Sequence, residues 1–213
     1  MTVEIRRGLY AITDSRLIPG ELLTDAVGQA IQGGARVIQY RDKTLNDKER
    51  RQQAETLASL CREHDVPLII NDNVALAKAV NATGVHIGRH DTDIAATRSQ
   101  LGPAAIIGVS CYNRIELAVQ AAAAGADYVA FGRFFPSSTK PDAVQAQAAL
   151  LQAARQAIDL PIVAIGGITA ENGGELVRAG ADLLAVIHGV FGQPDVRAAA
   201  RRYAALFEQG DGV

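Results

Sequence analysis

The sequence predicts an α/β fold, a single (β/α)8 TIM barrel spanning residues 1–213, on three observations. Short apolar runs, often β-branched, recur eight times with segments of helical period between them. Polar and charged residues gather just after those runs, where such barrels carry their chemistry. The phrases Gly33-Gly34-Ala35, Ala124-Gly125-Ala126-Asp127 and Ala179-Gly180-Ala181-Asp182 each sit just before a strand, as a repeated helix-to-strand turn would. Eight strands alternating with eight helices is the pattern of a closed parallel barrel. The alternative is an open doubly wound sheet. It would want a Gly-rich phosphate turn after its first strand, and Thr13-Asp14-Ser15-Arg16 supplies no glycine.

The elements follow in order. A first strand over Gly8–Thr13 leads to a helix over Leu22–Gln32, closed by Gly33-Gly34. Strand Val37–Tyr40 precedes a helix over Asn46–Glu63, and strand Leu68–Asn71 precedes one over Val74–Val80. Strand Gly84–Ile87 is followed by a helix over Ile94–Leu101. Strand Ile106–Ser110 is followed by a helix over Arg114–Ala124, whose Ala-rich part has high helix propensity. Strand Tyr128–Phe131 precedes a helix over Ala143–Ile158, Ala-rich from Ala148 to Ala157. Strand Ile162–Ile165, helix Gly173–Ala179, strand Leu183–Ile187 and helix Val196–Glu208 complete the series. The helical assignments rest on apolar spacings of three and four.

Composition narrows the class. Of 213 residues 48% are apolar, enough for a sizeable core. Tryptophan is absent and the net charge is -2, with no basic tail or stripe, which argues against a nucleic-acid partner. Cys61 and Cys111 lie far apart with no CxxC, so inert intracellular thiols are expected. The start of the chain is too polar for a signal peptide, and no apolar run is long enough to span a membrane. A cytoplasmic enzyme is the expectation; oligomeric state is not legible.

The strand ends carry the candidate chemistry. Gln39, Arg41 and Lys43 share one face if extended geometry continues past the second strand. That row suits phosphate or carboxylate oxygens, because arginine offers a planar fork of donors and lysine a mobile charge. Asp72 and Asp91 follow neighbouring strands beside Arg41, Lys43 and Lys140; a salt-bridge network and a Mg²⁺ site are the two readings, and the converging cations favour the metal. Gly166-Gly167 after strand seven lets backbone N–H groups approach an anion. The ligand would then carry two anionic ends, a diphosphate and a monophosphate. His86 is expected to pack in the barrel with its hydrogen bond satisfied, His64 to cap a helix and His90 to lie in a loop. Ser110 reads as a hydrogen-bond donor rather than a nucleophile.

Nearly the whole chain resembles the thiamine-phosphate synthases. The resemblance rests on Leu9-Tyr10-Ala11-Ile12-Thr13-Asp14, the Gln39-to-Lys43 row, Asn71-Asp72, Gly84-Val85-His86-Ile87-Gly88 with Asp91, and Gly108-Val109-Ser110-Cys111. It continues through Asp127-Tyr128-Val129-Ala130-Phe131-Gly132, Thr139-Lys140 and Ala164-Ile165-Gly166-Gly167-Ile168. It implies a (β/α)8 barrel that joins a hydroxymethylpyrimidine diphosphate to a thiazole monophosphate with Mg²⁺. It implies that Gln39, Tyr40, Arg41, Asp42, Lys43, Asn71, Ser110 and Lys140 hold the pyrimidine diphosphate, with Arg41, Lys43, Ser110 and Lys140 catalytic. Asp72 and Asp91 would hold the metal. Ser137, Ser138, Thr139, Gly167, Ile187 and His188 would line the thiazole phosphate site.

Two positions depart from the family pattern. His188 stands where the family usually has serine, and Arg89-His90 where it often has Gln-Glu. The rival readings are a thiazole tautomerase of the same superfamily and a noncatalytic phosphometabolite-binding barrel. The expected chemistry is a dissociative substitution, with closure of the Gly132–Pro141 loop excluding water.

Overall fold

The computed structural model describes residues 5–88, 93–136 and 145–208. Strand β1 (Gly8–Ile12) pairs in parallel with both β2 (Ala35–Tyr40) and β8 (Leu183–Val186), which closes the sheet. Between them run β3 (Leu68–Asn71), β4 (Gly84–Ile87), β5 (Ile106–Tyr112), β6 (Tyr128–Gly132) and β7 (Ile162–Ile165), in chain order. Helices α1 (Gly20–Gln32), α2 (Asp47–Glu63), α3 (Val74–Ala79), α4 (Ile94–Leu101), α5 (Ile115–Ala123), α6 (Ala149–Ala157) and α7 (Gly173–Arg178) follow the first seven strands. Two helices follow β8: a four-residue α8 (His188–Phe191) and α9 (Val196–Glu208).

Three details differ from expectation. The helix predicted from Ala143 begins at Ala149; positions 145 to 148 are not helical, and 143 and 144 lie outside the described residues. Alanine content alone does not start a helix where tertiary context directs otherwise. Strand β5 runs on to Tyr112 through a bulge, since Ser110 pairs with Ala130 and Tyr112 with Phe131. Helix α8 was not predicted, because four residues carry no periodic signal.

The strands are buried on both faces, as parallel strands require. Tyr10, Val37, Ile69, Tyr128, Val163 and Leu183 pack together inside the barrel. Their chain neighbours Leu9, Ile38, Ile70, Val129, Ile162 and Leu184 point the other way, into a larger cluster shared with the helices. Helix α1 buries Leu23, Ala26, Val27 and Ala30, and α2 buries Ala54, Leu57, Ala58 and Cys61, each a stripe of helical period. Each fully buried Leu or Ile contributes about 1.5–3 kcal/mol. Both cysteines are free and buried; burial pushes each thiol up to about 12, so neither is a nucleophile at neutral pH. Among the described residues no helix is long and apolar enough to cross a membrane.

The repeated Gly-Ala-Asp phrases have a physical job at the N-terminal end of the barrel. Asp127 accepts from the Ile107 backbone N–H at 2.7 Å and from Arg98 Nη2 at 2.7 Å, and Arg98 also donates to Gly125 O at 2.8 Å. Two strands later the arrangement recurs. Asp182 accepts from Ile162 N–H at 2.8 Å and from Arg155 Nη2, which also donates to Gly180 O at 3.0 Å. Each clamp ties a helix, the turn after the next helix and a strand start together.

Asp127→Ala and Asp182→Ala should each lower stability by about 1–2 kcal/mol. Each leaves a strand N–H without its acceptor, and the figure is kept low because solvent reaches both carboxylates. The thermal midpoint should fall by about 2–8 °C for a chain of this size, measured by circular dichroism. Unchanged midpoints would mean that water replaces the carboxylates without cost.

Candidate active site

The site lies at the C-terminal ends of the strands, where the inner row of side chains turns polar. Gln39 is the last inward residue of β2, only 4% exposed, and its Nε2 donates to the Tyr10 hydroxyl at 2.8 Å. Arg41 follows two residues later, past the strand. Its position is fixed through the backbone: Arg41 N–H donates to Thr13 Oγ1 at 2.9 Å, Thr13 Oγ1 donates back to Arg41 O at 3.3 Å, and Thr13 N–H donates to Gln39 O at 3.0 Å. Buried Asp14 accepts two bonds from the Arg16 guanidinium, at 3.0 and 2.7 Å, and lies 3.7 Å from Arg41 Nη1. The side-chain bonds from Arg16 hold the Asp14 carboxyl below the usual aspartate range, against the opposing effect of burial.

Two residues of the predicted row also serve the fold, and Asp42 lines the groove beside Lys43. Tyr40 points outward, buried among helix residues, with its hydroxyl donating to Gln53 Oε1 of α2 at 2.9 Å. Asp42 Oδ1 accepts from the backbone of Thr44 at 2.7 Å and Leu45 at 2.8 Å, which builds the turn after β2. Lys43 sits in that turn and reaches Asp72, with Nζ 3.8 Å from Oδ2. Asp72 adopts a left-handed backbone, φ 61°, between β3 and α3; its N–H donates to His86 O at 2.8 Å, and its Oδ2 accepts from Asn71 Nδ2 at 2.7 Å. Lys43, Asn71, Asp72 and Asn73 line a groove of about 660 Å³. Arg50 of α2 joins them, an unpredicted cation that donates to Leu45 O and Asp47.

On the far side of the mouth Ser110 is half-buried beside the β5 bulge. Its Oγ lies 2.8 Å from His86 Nε2, and His86 Nδ1 lies 2.9 Å from the Tyr128 hydroxyl. His86 is therefore buried and bonded, as expected, but its contact with Ser110 was not foreseen. A serine triad gives Nδ1 of its histidine to a carboxylate, whereas here Nδ1 lies against the Tyr128 hydroxyl. His64 caps α2 and is exposed.

Beyond β7 the Gly166-Gly167 pair has positive φ values of 105° and 64°. A Cβ on Gly167 would fall 2.3 Å from Pro136 O, so the pair admits the loop after β6. Ile187 caps α8, and exposed His188 is its first residue. By helix geometry the first N–H groups of α8 have no acceptor within the helix. A short extra helix after strand eight is a frequent phosphate-binding device in these barrels. Asp91, Arg89, His90, Ser137, Ser138, Thr139 and Lys140 lie outside the described residues, as does much of the Gly132–Pro141 loop. Among the described residues no group of three or more His, Cys, Asp or Glu is arranged to hold a metal. Among the described residues Asp72 fits Mg²⁺ in kind: a carboxylate with a side chain 42% exposed, set in a groove open to substrate oxygens and water.

The fold and site define a (β/α)8 barrel with a polar, cation-bearing C-terminal mouth. The profile of the thiamine monophosphate synthase family matches residues 9–190. The chain is 52% identical to the thiamine-phosphate synthase of Nitrosococcus oceani over 201 residues, covering 94% of this chain and 93% of that one. It is 49% identical to the thiamine-phosphate synthase of Thioalkalivibrio sulfidiphilus, covering 97% and 98%. The solved thiamine phosphate pyrophosphorylase from Pyrococcus furiosus superposes with a TM-score of 0.86 at 36% identity, over 96% of this chain and 97% of that one. The chain belongs to the thiamine monophosphate synthase family, whose members are transferases.

The Asp14 pair predicts a pH dependence. A carboxyl depressed in the folded state stabilises the protein above the unfolded pKa of about 3.9 and loses that contribution as pH falls through the folded value. Asp14→Asn should therefore be less stable than the parent at pH 7, with the gap narrowing below about pH 4. Urea denaturation at pH 7 and pH 3 checks it; a gap independent of pH would remove the ion pair as its source.

Proposed function

We propose that the chain joins hydroxymethylpyrimidine diphosphate to thiazole monophosphate, releasing thiamine monophosphate and diphosphate. The observation that carries the reading is the pairing, at one barrel mouth, of the Arg41–Lys43 cations and Asp72 with buried Gln39 and half-buried Ser110. The family supports the reaction type, and its phosphorylated small-molecule substrates follow from it.

In this reading the diphosphate rests over Arg41, Lys43, Asn71 and Lys140 with Ser110 beside it, while Gln39 meets the pyrimidine end of the same substrate. Tyr40 and Asp42 hold the turn that presents the cations. The carbon–oxygen bond to the pyrimidine methylene breaks first, the ring's amino group shares the positive charge, and the thiazole nitrogen then attacks the carbon. No covalent nucleophile is needed. Arg41, Lys43 and Lys140 bind the leaving diphosphate more strongly as its charge grows, and Ser110 adds a hydrogen bond, which is electrostatic stabilisation of the transition state. Asp72 and Asp91 would hold Mg²⁺, which would neutralise the diphosphate as a Lewis acid. The thiazole phosphate lies against Ser137, Ser138, Thr139, Gly167, Ile187 and His188, with backbone N–H groups as the principal donors. The working compartment is the cytoplasm.

Incubation with both substrates and Mg²⁺ tests the reading by the appearance of thiamine monophosphate. Proton exchange on a thiazole carboxylate phosphate, without condensation, would support a tautomerase instead.

Asp72→Ala should lower kcat/KM by about 10²-fold at fixed Mg²⁺, in the range for one lost charge contact, and should raise the Mg²⁺ concentration needed for half activity. Parental kinetics across a Mg²⁺ titration would remove the metal assignment. His188→Ser should stay within about tenfold of the parent, a difference of about 1.4 kcal/mol, because backbone donors do not depend on the side chain. A deeper loss with intact pyrimidine diphosphate binding would give the imidazole a specific role.

A further inference from the structure

Five side chains make an unbroken hydrogen-bonded row through the inside of the barrel. Gln39 Nε2 lies 2.8 Å from the Tyr10 hydroxyl, which lies 2.8 Å from the Tyr128 hydroxyl. The Tyr128 hydroxyl lies 2.9 Å from His86 Nδ1, and His86 Nε2 lies 2.8 Å from Ser110 Oγ. The first four residues are buried; Ser110 is half-buried at the mouth. The Tyr128 ring stacks on His86 and meets Tyr10 edge-on. Gly108 makes the space for it, since a Cβ there would fall 1.9 Å from Tyr128 Cζ.

An apolar layer of the same shape was available: phenylalanine at positions 10 and 128 would fill the volume with no polar atom to satisfy. A buried polar row costs stability wherever one member is lost, so its presence calls for a use. Burial raises both phenols far above their ordinary pKa, so each keeps its proton. A hydroxyl has one proton to give, and so has a neutral imidazole. A row in which every phenol proton is used runs in one direction, which the Gln39 amide sets. With the Gln39 amide donating to Tyr10, Tyr10 donates to Tyr128 and Tyr128 to His86 Nδ1. The imidazole proton then sits on Nε2 and is donated to Ser110 Oγ. The Ser110 proton is left to point out of the row. At the other end the Gln39 amide gives Nε2 to Tyr10, which leaves Oε1, an acceptor, as its remaining polar atom.

We propose that this row is a positioning device that fixes Gln39 as an acceptor and Ser110 as a donor toward the ligand. The site thereby selects a pyrimidine bearing an exocyclic amino group over its oxo counterpart. The inference rests on the pyrimidine diphosphate reading above. An amino group donates to Gln39 Oε1, and an acceptor on the same substrate meets the Ser110 hydroxyl. An oxo group would face the Gln39 oxygen. Accommodating it requires the amide to turn over and every bond in the row to reverse, including the imidazole tautomer. Tyr10, Tyr128 and His86 act through Gln39 and Ser110 rather than on the substrate.

The test compares Tyr128→Phe and the Tyr10→Phe/Tyr128→Phe double variant with the parent enzyme. Calorimetry without the thiazole substrate measures binding of hydroxymethylpyrimidine diphosphate, of its analogue with oxo in place of amino, and of inorganic diphosphate. The parent should prefer the amino compound by about 10²-fold or more. Tyr128→Phe frees Tyr10 to donate back to Gln39, so the preference should fall at least about tenfold, with diphosphate affinity unchanged. Equal preference in parent and both variants, with only the thermal midpoint lowered, gives the row a structural role and overturns the proposal. Nitrogen NMR of the free parent should show His86 protonated on Nε2 alone; an Nδ1-protonated ring overturns the direction. If the parent binds neither pyrimidine, the functional reading falls with the ligand named here, while the tautomer still decides the direction of the row.

Discussion

Side-chain alternation along eight closed parallel strands is the constraint on which the rest depends. It sends every second residue into one narrow interior that water does not share. Most of that interior is Val, Ile, Leu and Ala. Any polar group placed there has only other interior groups to bond with, and the two tyrosines and His86 meet that demand through one another. The same alternation carries the inward column up to the mouth, where Gln39 and Ser110 end it. The interior and the site are one continuous stack.

The mouth itself is held by neutral stitching more than by charge. Thr13 joins the ends of β1 and β2 with backbone-directed bonds to Arg41 and Gln39. Asp14 is nearly covered and committed to Arg16. Lys43 and Asp72 are a different case. Their side chains are 61% and 42% exposed and 3.8 Å apart, a geometry worth about 0–1 kcal/mol to the fold. Charges that contribute so little to stability and line one groove suit a ligand site.

Most of the barrel was legible because parallel strands buried on both faces leave dense β-branched runs, such as Leu68–Asn71 and Ile162–Ile165, bounded by turn residues. The failures share a cause. Helix α8 and the β5 bulge are set by contacts that no local period reports. Helix α6 starts later than alanine propensity suggests because the segment before it bonds to the loop after β6, with Ala146 N–H donating to Arg133 O at 2.7 Å. Within the site, the residues past each strand were visible as polar interruptions. Invisible were the partners that define their roles: Tyr10 and Tyr128 are 118 positions apart, and Arg50 sits in a helix whose charges all look alike from the sequence. The outward turn of Tyr40 follows from parity along β2, since it is the neighbour of inward Gln39.

The paired clamps at the N-terminal end bear on how such a barrel is made. Arg98 and Asp127 are separated by 29 positions, and Arg155 and Asp182 by 27, so each clamp closes a short loop. The Gly8–Leu183 pairing that seals the sheet spans most of the chain. Loop-closure entropy grows with the length enclosed, which orders these events. The clamps belong to compact helix–strand–helix units that a searching chain can complete locally. The seam between first and last strands is the joint left for the end, so damage to a clamp weakens the parts from which the whole is assembled.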